Sequence, residues 1–286
     1  MPSVVKFQKP VLRLGPVEIT RQADTPKRMA ILLWGPAGVG KTTLAATAPG
    51  EKLWLSFGDQ EHASVGHRKD VLVANWADMG YEELFKYCQN DNPFGLDQLL
   101  SENESIETVI CDSVTAIAFR ALQKAVGMGL GGGRNFRPTM EAPGLSAYGG
   151  RNAIVLEVLT GLLRVTAKHG VHLILTAHEA DPVLDAEGTV QFITIMLGGK
   201  LVNNNTWRLS EIWYLSEDNG TRKLAVRPTR KRRPMKTRMF SGKGAPEFEL
   251  KYDADAPDKG QMTIASFYDA WVNSGDKIPV PERRVK

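Results

Sequence analysis

Apolar and polar positions along the chain fall into two rhythms. Short apolar runs at residues 29–34, 52–57, 71–74, 107–112 and 171–176 predict strands, most of them buried on both faces. Between them the spacing changes to the helical period. Residues 81–89 carry Leu84, Phe85 and Cys88 at helical positions, residues 96–100 predict a short helix, and residues 114–126 predict a longer one. Residues 151–168 form an amphipathic helix pattern. Glu157, Arg164 and Lys168 share one face, and Val155, Leu159, Leu162 and Leu163 lie mostly opposite. Further on, residues 207–215 and 223–227 alternate on either side of Asp218-Asn219-Gly220, a hairpin signal. Residues 264–272 predict a last helix with Phe267, Tyr268 and Trp271 on one side.

At the start, two apolar pieces, residues 11–14 and 17–19, sit among Pro10, Pro16 and Pro26 and predict an arm or hairpin. Residues 279–286 read as a frayed end. Strands alternating with helices, then antiparallel strands, predict an α/β fold: a mostly parallel central sheet flanked by helices, with a C-terminal antiparallel extension. The expected division is an arm over 1–28, a core over 29–252, and a C-terminal helix and tail over 253–286.

Composition narrows the class only a little. Of 286 residues, 42% are hydrophobic, enough for a sizeable core, and 24% are charged, as in an ordinary soluble protein. Cys88 and Cys111 lie far apart in apolar settings, without disulfide or metal spacing, which points to a reducing compartment. No signal-peptide pattern opens the chain, and no apolar run reaches the ~18 residues that span a membrane. The expectation is a soluble cytoplasmic protein with no membrane partner.

The strongest chemical signal joins the first core strand to a helical run. Gly35-Pro36-Ala37-Gly38-Val39-Gly40-Lys41-Thr42-Thr43 fits the phosphate-loop pattern G-x-x-x-x-G-K-[ST]. Gly35, Gly38 and Gly40 allow backbone angles that a side chain would block. The loop N–H groups then converge on an anion. Lys41 would reach the β- and γ-phosphates, and the Thr42 hydroxyl would bind Mg²⁺.

Hydrolysis needs an acid for the metal and another group to orient water. Asp112 ends an apolar strand and would emerge at the sheet edge beside the loop; capping the next helix is its other possible role. Ser113 follows it, so the second acid must come from elsewhere. Glu61, after the strand at residues 52–57, meets that need, with Asp59 as competitor. From Arg222 to Lys243 there are ten Lys or Arg and no acid, centred on Arg230-Lys231-Arg232-Arg233. That run is either a solvated, charge-protected hairpin edge or a contact for a polyanion or a neighbouring subunit.

The phosphate loop, the segment Asp59-Gln60-Glu61-His62-Ala63, the segment Cys111-Asp112-Ser113-Val114 and the pair Gly198-Gly199 together resemble the RecA recombinase core. Within that superfamily the chain resembles phage-encoded RecA-like ATPases of the Sak single-strand annealing type, over residues 29–240. The resemblance implies a RecA-like P-loop NTPase core that binds ATP and Mg²⁺ and hydrolyses ATP. It implies single-stranded DNA as partner, a homo-oligomeric ring or filament, a single-stranded DNA-binding protein as a further partner, and a role in phage DNA recombination or annealing in the host cytoplasm. Glu61 then maps to the water-activating residue. His178, after the strand at residues 171–176, takes the position that senses the γ-phosphate; a local hydrogen bond at a strand end is its other reading. Lys236 and Arg238, read as one residue apart on a strand, match a pair sent into the neighbour's site. Two loops would hold DNA. One, from Gly127 to Gly150, carries Arg134, Phe136, Arg137 and Tyr148; the other, from Asp181 to Lys200, carries Phe192 and Lys200. A mobile surface lid is the other reading of the glycines. A ring translocase or helicase, and a non-catalytic nucleotide-gated DNA-binding scaffold, remain as alternative functions.

Overall fold

The computed structural model describes residues 12–15, 17–19, 27–58, 62–88, 92–130, 137–197, 208–250 and 262–281. The first elements are β1 (Leu12–Leu14) and β2 (Val17–Ile19), which pair antiparallel as a small hairpin. The core then runs β3 (Ala30–Gly35), α1 (Lys41–Ala45), β4 (Glu51–Ser56), β5 (Val71–Asn75), α2 (Tyr81–Leu84), α3 (Leu96–Glu102), β6 (Ile106–Asp112), α4 (Val114–Gly127), α5 (Gly144–Lys168) and β7 (His172–His178). A small hairpin, β8 (Val183–Leu184) and β9 (Val190–Phe192), follows. The chain continues through β10 (Glu211–Asp218), β11 (Thr221–Ala225), β12 (Glu247–Glu249) and α6 (Ile264–Ser274).

One sheet organises the molecule, in the order β12-β11-β10-β3-β7-β6-β4-β5. The six strands from β10 to β5 are parallel, and β11 and β12 extend them antiparallel. This is the mostly parallel central sheet flanked by helices, with a C-terminal antiparallel extension, that the sequence predicts. The parallel part reaches one strand further than expected, because β10 joins β3 in parallel register, Trp213 beside Leu33.

The strict alternation of side chains along each strand divides the core in two. In β3, Ala30, Leu32 and Trp34 enter the cluster formed with α4 and α5, while Ile31 and Leu33 enter the one formed with α1 and α6. Ile264 and Phe267 of α6 are buried in that second cluster, beside Phe240 and Phe248. The N-terminus of α6 is tied to the end of α1: the backbone N–H of Ile264 donates to the Thr47 hydroxyl at 2.9 Å.

Two expectations change. Helix α5 begins at Gly144, not near Arg151, so Gly144, Gly149 and Gly150 are helical rather than a flexible stretch. A Cβ on Gly150 would lie 2.5 Å from Leu130 Cδ1 and 3.2 Å from Ala125 Cβ. A side chain there would displace the Leu130 tip and press on Ala125, so the small residue suits close packing of α5 against the end of α4. The segment with Lys236 and Arg238 is not a strand either. It meets β10 through a single bridge, Ile212 to Lys236.

Candidate functional site

The C-terminal edge of the parallel strands gathers the polar residues that the apolar runs end on. Alternation sets their direction. Ile110 and Ile174 face α1, so Asp112 and Thr176, two residues on, face it too, and His178 follows Thr176. Register places Ser56 of β4 beside Asp112. A row of Ser56, Asp112, Thr176 and His178 thus lines the face where the phosphate loop turns from β3 into α1.

The loop has the predicted shape. Gly35, Gly38 and Gly40 have φ of 153°, 77° and 92°. At Gly35 there is a second constraint, since a Cβ would come within 2.0 Å of the Leu215 carbonyl oxygen of β10. Gly35→Ala is expected to lower stability by about 2–3 kcal/mol, because a backbone oxygen cannot rotate away and φ is also unfavourable. Chemical denaturation checks it; an unchanged midpoint would refute the clash. Helix α1, which follows the loop, is only five residues long.

Lys41 is buried, with 7% of its surface exposed. Its ammonium donates to the carbonyls of Gly35 at 3.1 Å and Pro36 at 2.6 Å. The Thr42 hydroxyl donates to Asp112 Oδ2 at 3.0 Å, and the Thr176 hydroxyl donates to Oδ1. Ser113, not Asp112, caps α4: its hydroxyl accepts from Ala116 N–H at 3.1 Å. The helix-cap role is thereby taken by the neighbour, and both Asp112 oxygens face the loop side. Burial pushes the Asp112 carboxyl above the usual carboxylate range, opposed by the two threonine hydrogen bonds and by the positive field of Lys41 and His62.

A hydroxyl and a single carboxylate are hard oxygen donors, the set that suits Mg²⁺ held with phosphate and water. Among the described residues, no group of three or more His, Cys, Asp or Glu forms a separate metal cage. The residues present fit Mg²⁺ brought in with a phosphate ligand.

His178 stands close enough to Lys41 to feel its charge. Burial first, and then Lys41, hold its imidazole below the usual histidine range, so the neutral ring is favoured. Its backbone is fixed: its N–H donates to Thr115 Oγ1 at 2.9 Å. Glu61 and Asp59 lie outside the described residues. His62, next to Glu61 in sequence, is held at the site's edge, with Nδ1 3.2 Å from Ser56 Oγ.

The remaining candidates separate. Lys236 donates to the Leu209 carbonyl at 2.7 Å, and Arg238 is exposed. Lys236 sits at the level of Ile212, which pairs with Leu32. Three residues of strand, about 10 Å, separate that level from Gly35, so the pair lies toward the opposite sheet edge from its own phosphate loop. Of the first DNA-loop residues, Arg137 is exposed between α4 and α5, while Arg134 and Phe136 lie outside the described residues. Tyr148 belongs to α5, with the Arg151 guanidinium 5.1 Å from its ring centre. In the second loop, Phe192 ends β9, and Gly198, Gly199 and Lys200 lie outside the described residues.

The basic run divides into occupied and exposed halves. Arg222 Nε donates to the Val39 carbonyl of the phosphate loop at 3.1 Å. Lys223 pairs with Asp218, Arg232 with Glu247, and Arg227 donates to the carbonyls of Gly242 and Gly244. Arg230, Lys231, Arg233, Arg238 and Lys243 are exposed.

Three residues escaped the sequence reading. Arg222 was counted only as charge, yet it braces the phosphate loop from 183 positions away. Tyr214 and Glu211 lie in an apolar alternating run, where a lone Glu was the one available signal. Glu211 is 1% exposed.

Residues 27–239 match the family described as AAA domain. Among solved structures, a KaiC-like protein from the hyperthermophilic archaeon Pyrococcus horikoshii OT3 is similar at 17% identity and a TM-score of 0.40, over 79% of this chain and 87% of that one. No curated protein matches the chain. No helix among the described residues is long and apolar enough to cross a membrane.

Proposed function

Since the chain belongs to the AAA domain family and has its P-loop ATPase fold, we propose that it hydrolyses ATP with Mg²⁺ and binds single-stranded DNA. The observation that carries the hydrolytic reading is the 3.0 Å contact of Thr42 with Asp112 beside a buried Lys41. In this reading Lys41 exchanges its loop carbonyls for the β- and γ-phosphates, and the N–H groups of the loop from Gly35 to Thr43 cradle them. Thr42 and Asp112 would hold Mg²⁺, which would supply charge to neutralise the phosphates. Glu61, next to His62, orients the attacking water, and His178 donates to the γ-phosphate.

The DNA reading rests on the exposed half of the basic run. Arg230, Lys231 and Arg233 flank a bridge from Arg232 to Ile193, which follows the half-exposed Phe192. Cations beside an accessible ring suit a single strand, whose phosphates meet charge and whose bases stack. Because Lys236 and Arg238 lie toward the far sheet edge from their own loop, they would act in a neighbouring copy, and the site would be complete only in a homo-oligomer. Recombination or strand annealing is the process that such a DNA-dependent ATPase would serve.

The test is ATP turnover with and without a 30-nucleotide oligo-dT, over a range of protein concentrations. Turnover should rise with both. A variant carrying Arg230→Glu, Lys231→Glu and Arg233→Glu should bind the oligonucleotide more weakly. Its plot of log affinity against log salt should be shallower by about 2. Wild-type affinity and slope in that variant would remove the DNA reading from this surface, and duplex unwinding would move the answer to a helicase.

A further inference from the structure

The two ends of the Glu179 residue do different things. Its backbone N–H donates to the Gly35 carbonyl at 3.1 Å, the same oxygen that accepts from Lys41 Nζ at 3.1 Å. Its carboxylate accepts from the Tyr214 hydroxyl at 2.8 Å. Adjacent residues of an extended chain point to opposite faces. The Glu179 side chain therefore reaches the face where Tyr214 packs with the α4 and α5 cluster, while His178 follows Thr176 toward α1. Backbone bonds hold this strand end as well, among them Met196 N–H to the His178 carbonyl at 2.8 Å; the Glu179 side-chain bond adds to them in setting the direction of His178.

Tyr214 is itself held from two sides. Trp34, the residue before Gly35, meets its ring edge-on at 4.6 Å. The Arg232 guanidinium lies 4.8 Å from its ring centre and is paired with Glu247. Burial, and then the bond to Glu179, push its phenol well above the usual tyrosine range, so the hydroxyl stays a donor.

We propose that Tyr214 is a positioning residue for the triphosphate end of the site: its hydroxyl, through Glu179, holds the 178–179 strand end so that His178 faces the phosphate loop. This rests on the reading that the loop binds a nucleoside triphosphate. The α- and β-phosphates are cradled by the loop itself and need no help from residue 178. Tyr214 therefore sets the preference for a triphosphate over a diphosphate.

The experiment compares binding of fluorescent ATPγS and fluorescent ADP to the full chain. Tyr214→Phe keeps the ring against Trp34 and Arg232 and removes only the hydroxyl. It should weaken ATPγS about tenfold, the effect of one lost hydrogen bond, and leave ADP within about twofold. Glu179→Ala should behave alike. Glu179→Gln keeps an acceptor oxygen and should recover most of the preference, which a loss of folding would not. Equal weakening of both nucleotides, or an unchanged ratio in Tyr214→Phe, would overturn the proposal. A wild-type chain that binds neither nucleotide would instead overturn the nucleotide reading on which it stands.

Discussion

Lys41→Ala is expected to reduce ATP turnover at saturating Mg·ATP by about 10²–10³-fold, the usual cost of removing one preorganised charge from a phosphoryl-transfer site. The size of the effect follows from where the ammonium sits. It is buried at 7% exposure, beside carbonyl oxygens of its own loop. Arg222 grips the loop through the Val39 carbonyl from the β11 side. Folding should be affected far less. The Gly35 carbonyl keeps the Glu179 N–H when the lysine is gone, and the alanine side chain fits a helix N-terminus. The combination to measure is phosphate release together with a thermal melt: turnover collapses while the midpoint stays within a few degrees. Turnover within threefold of wild type would mean that Lys41 does not meet the phosphates, and the hydrolytic reading would fail at its first residue.

How legible the site was depends on how local its determinants are. The phosphate loop is written in nine consecutive residues, and its three glycines adopt the positive φ values their spacing implies. Asp112 was readable because an apolar run ends on it; that Ser113 caps α4 in its place was not, since Asp and Ser are both good caps. Order across the sheet lay beyond sequence. Strand β7 separates β3 from β6, so Asp112 reaches the loop side across the β7 residue Thr176, a contact 64 positions apart in the chain. The start of α5 was misplaced because Gly144, Gly149 and Gly150 suggest a loop when helix propensity is read alone. Packing against α4 overrides that cost, and at Gly150 a small residue leaves room for Leu130 and Ala125. The basic run shows the same limit. Ten cations look alike in sequence, but the fold spends Arg222, Lys223, Arg227, Arg232 and Lys236 on internal contacts and leaves Arg230, Lys231, Arg233, Arg238 and Lys243 exposed.

Glu211→Ala is expected to destabilise the protein by about 3–5 kcal/mol, the range for breaking a buried charged hydrogen-bond set by removing one partner. The carboxylate accepts from Trp213 Nε1 at 2.9 Å, Thr237 Oγ1 at 2.6 Å, Arg238 N–H at 2.8 Å and Met239 N–H at 2.9 Å. Its removal leaves four donors without an acceptor in a place that water reaches poorly, and a buried donor left unmade costs more than the bond contributed. Burial raises the Glu211 carboxyl above the usual range, opposed by those four bonds. The bonds fix the segment from Lys236 to Met239, which has only one backbone bridge to β10. Denaturant unfolding should show the loss, with a melting midpoint lower by roughly 10 °C. A fall of less than about 1 kcal/mol would mean the segment repacks without its acceptor. Lys236→Ala separates the two consequences. It leaves the Glu211 bonds in place, so it should keep most of the stability yet lose the dependence of turnover on protein concentration, if the segment works in a neighbouring copy. Equal loss of stability in both variants would assign Lys236 to its bond with Leu209 and take it out of the shared site.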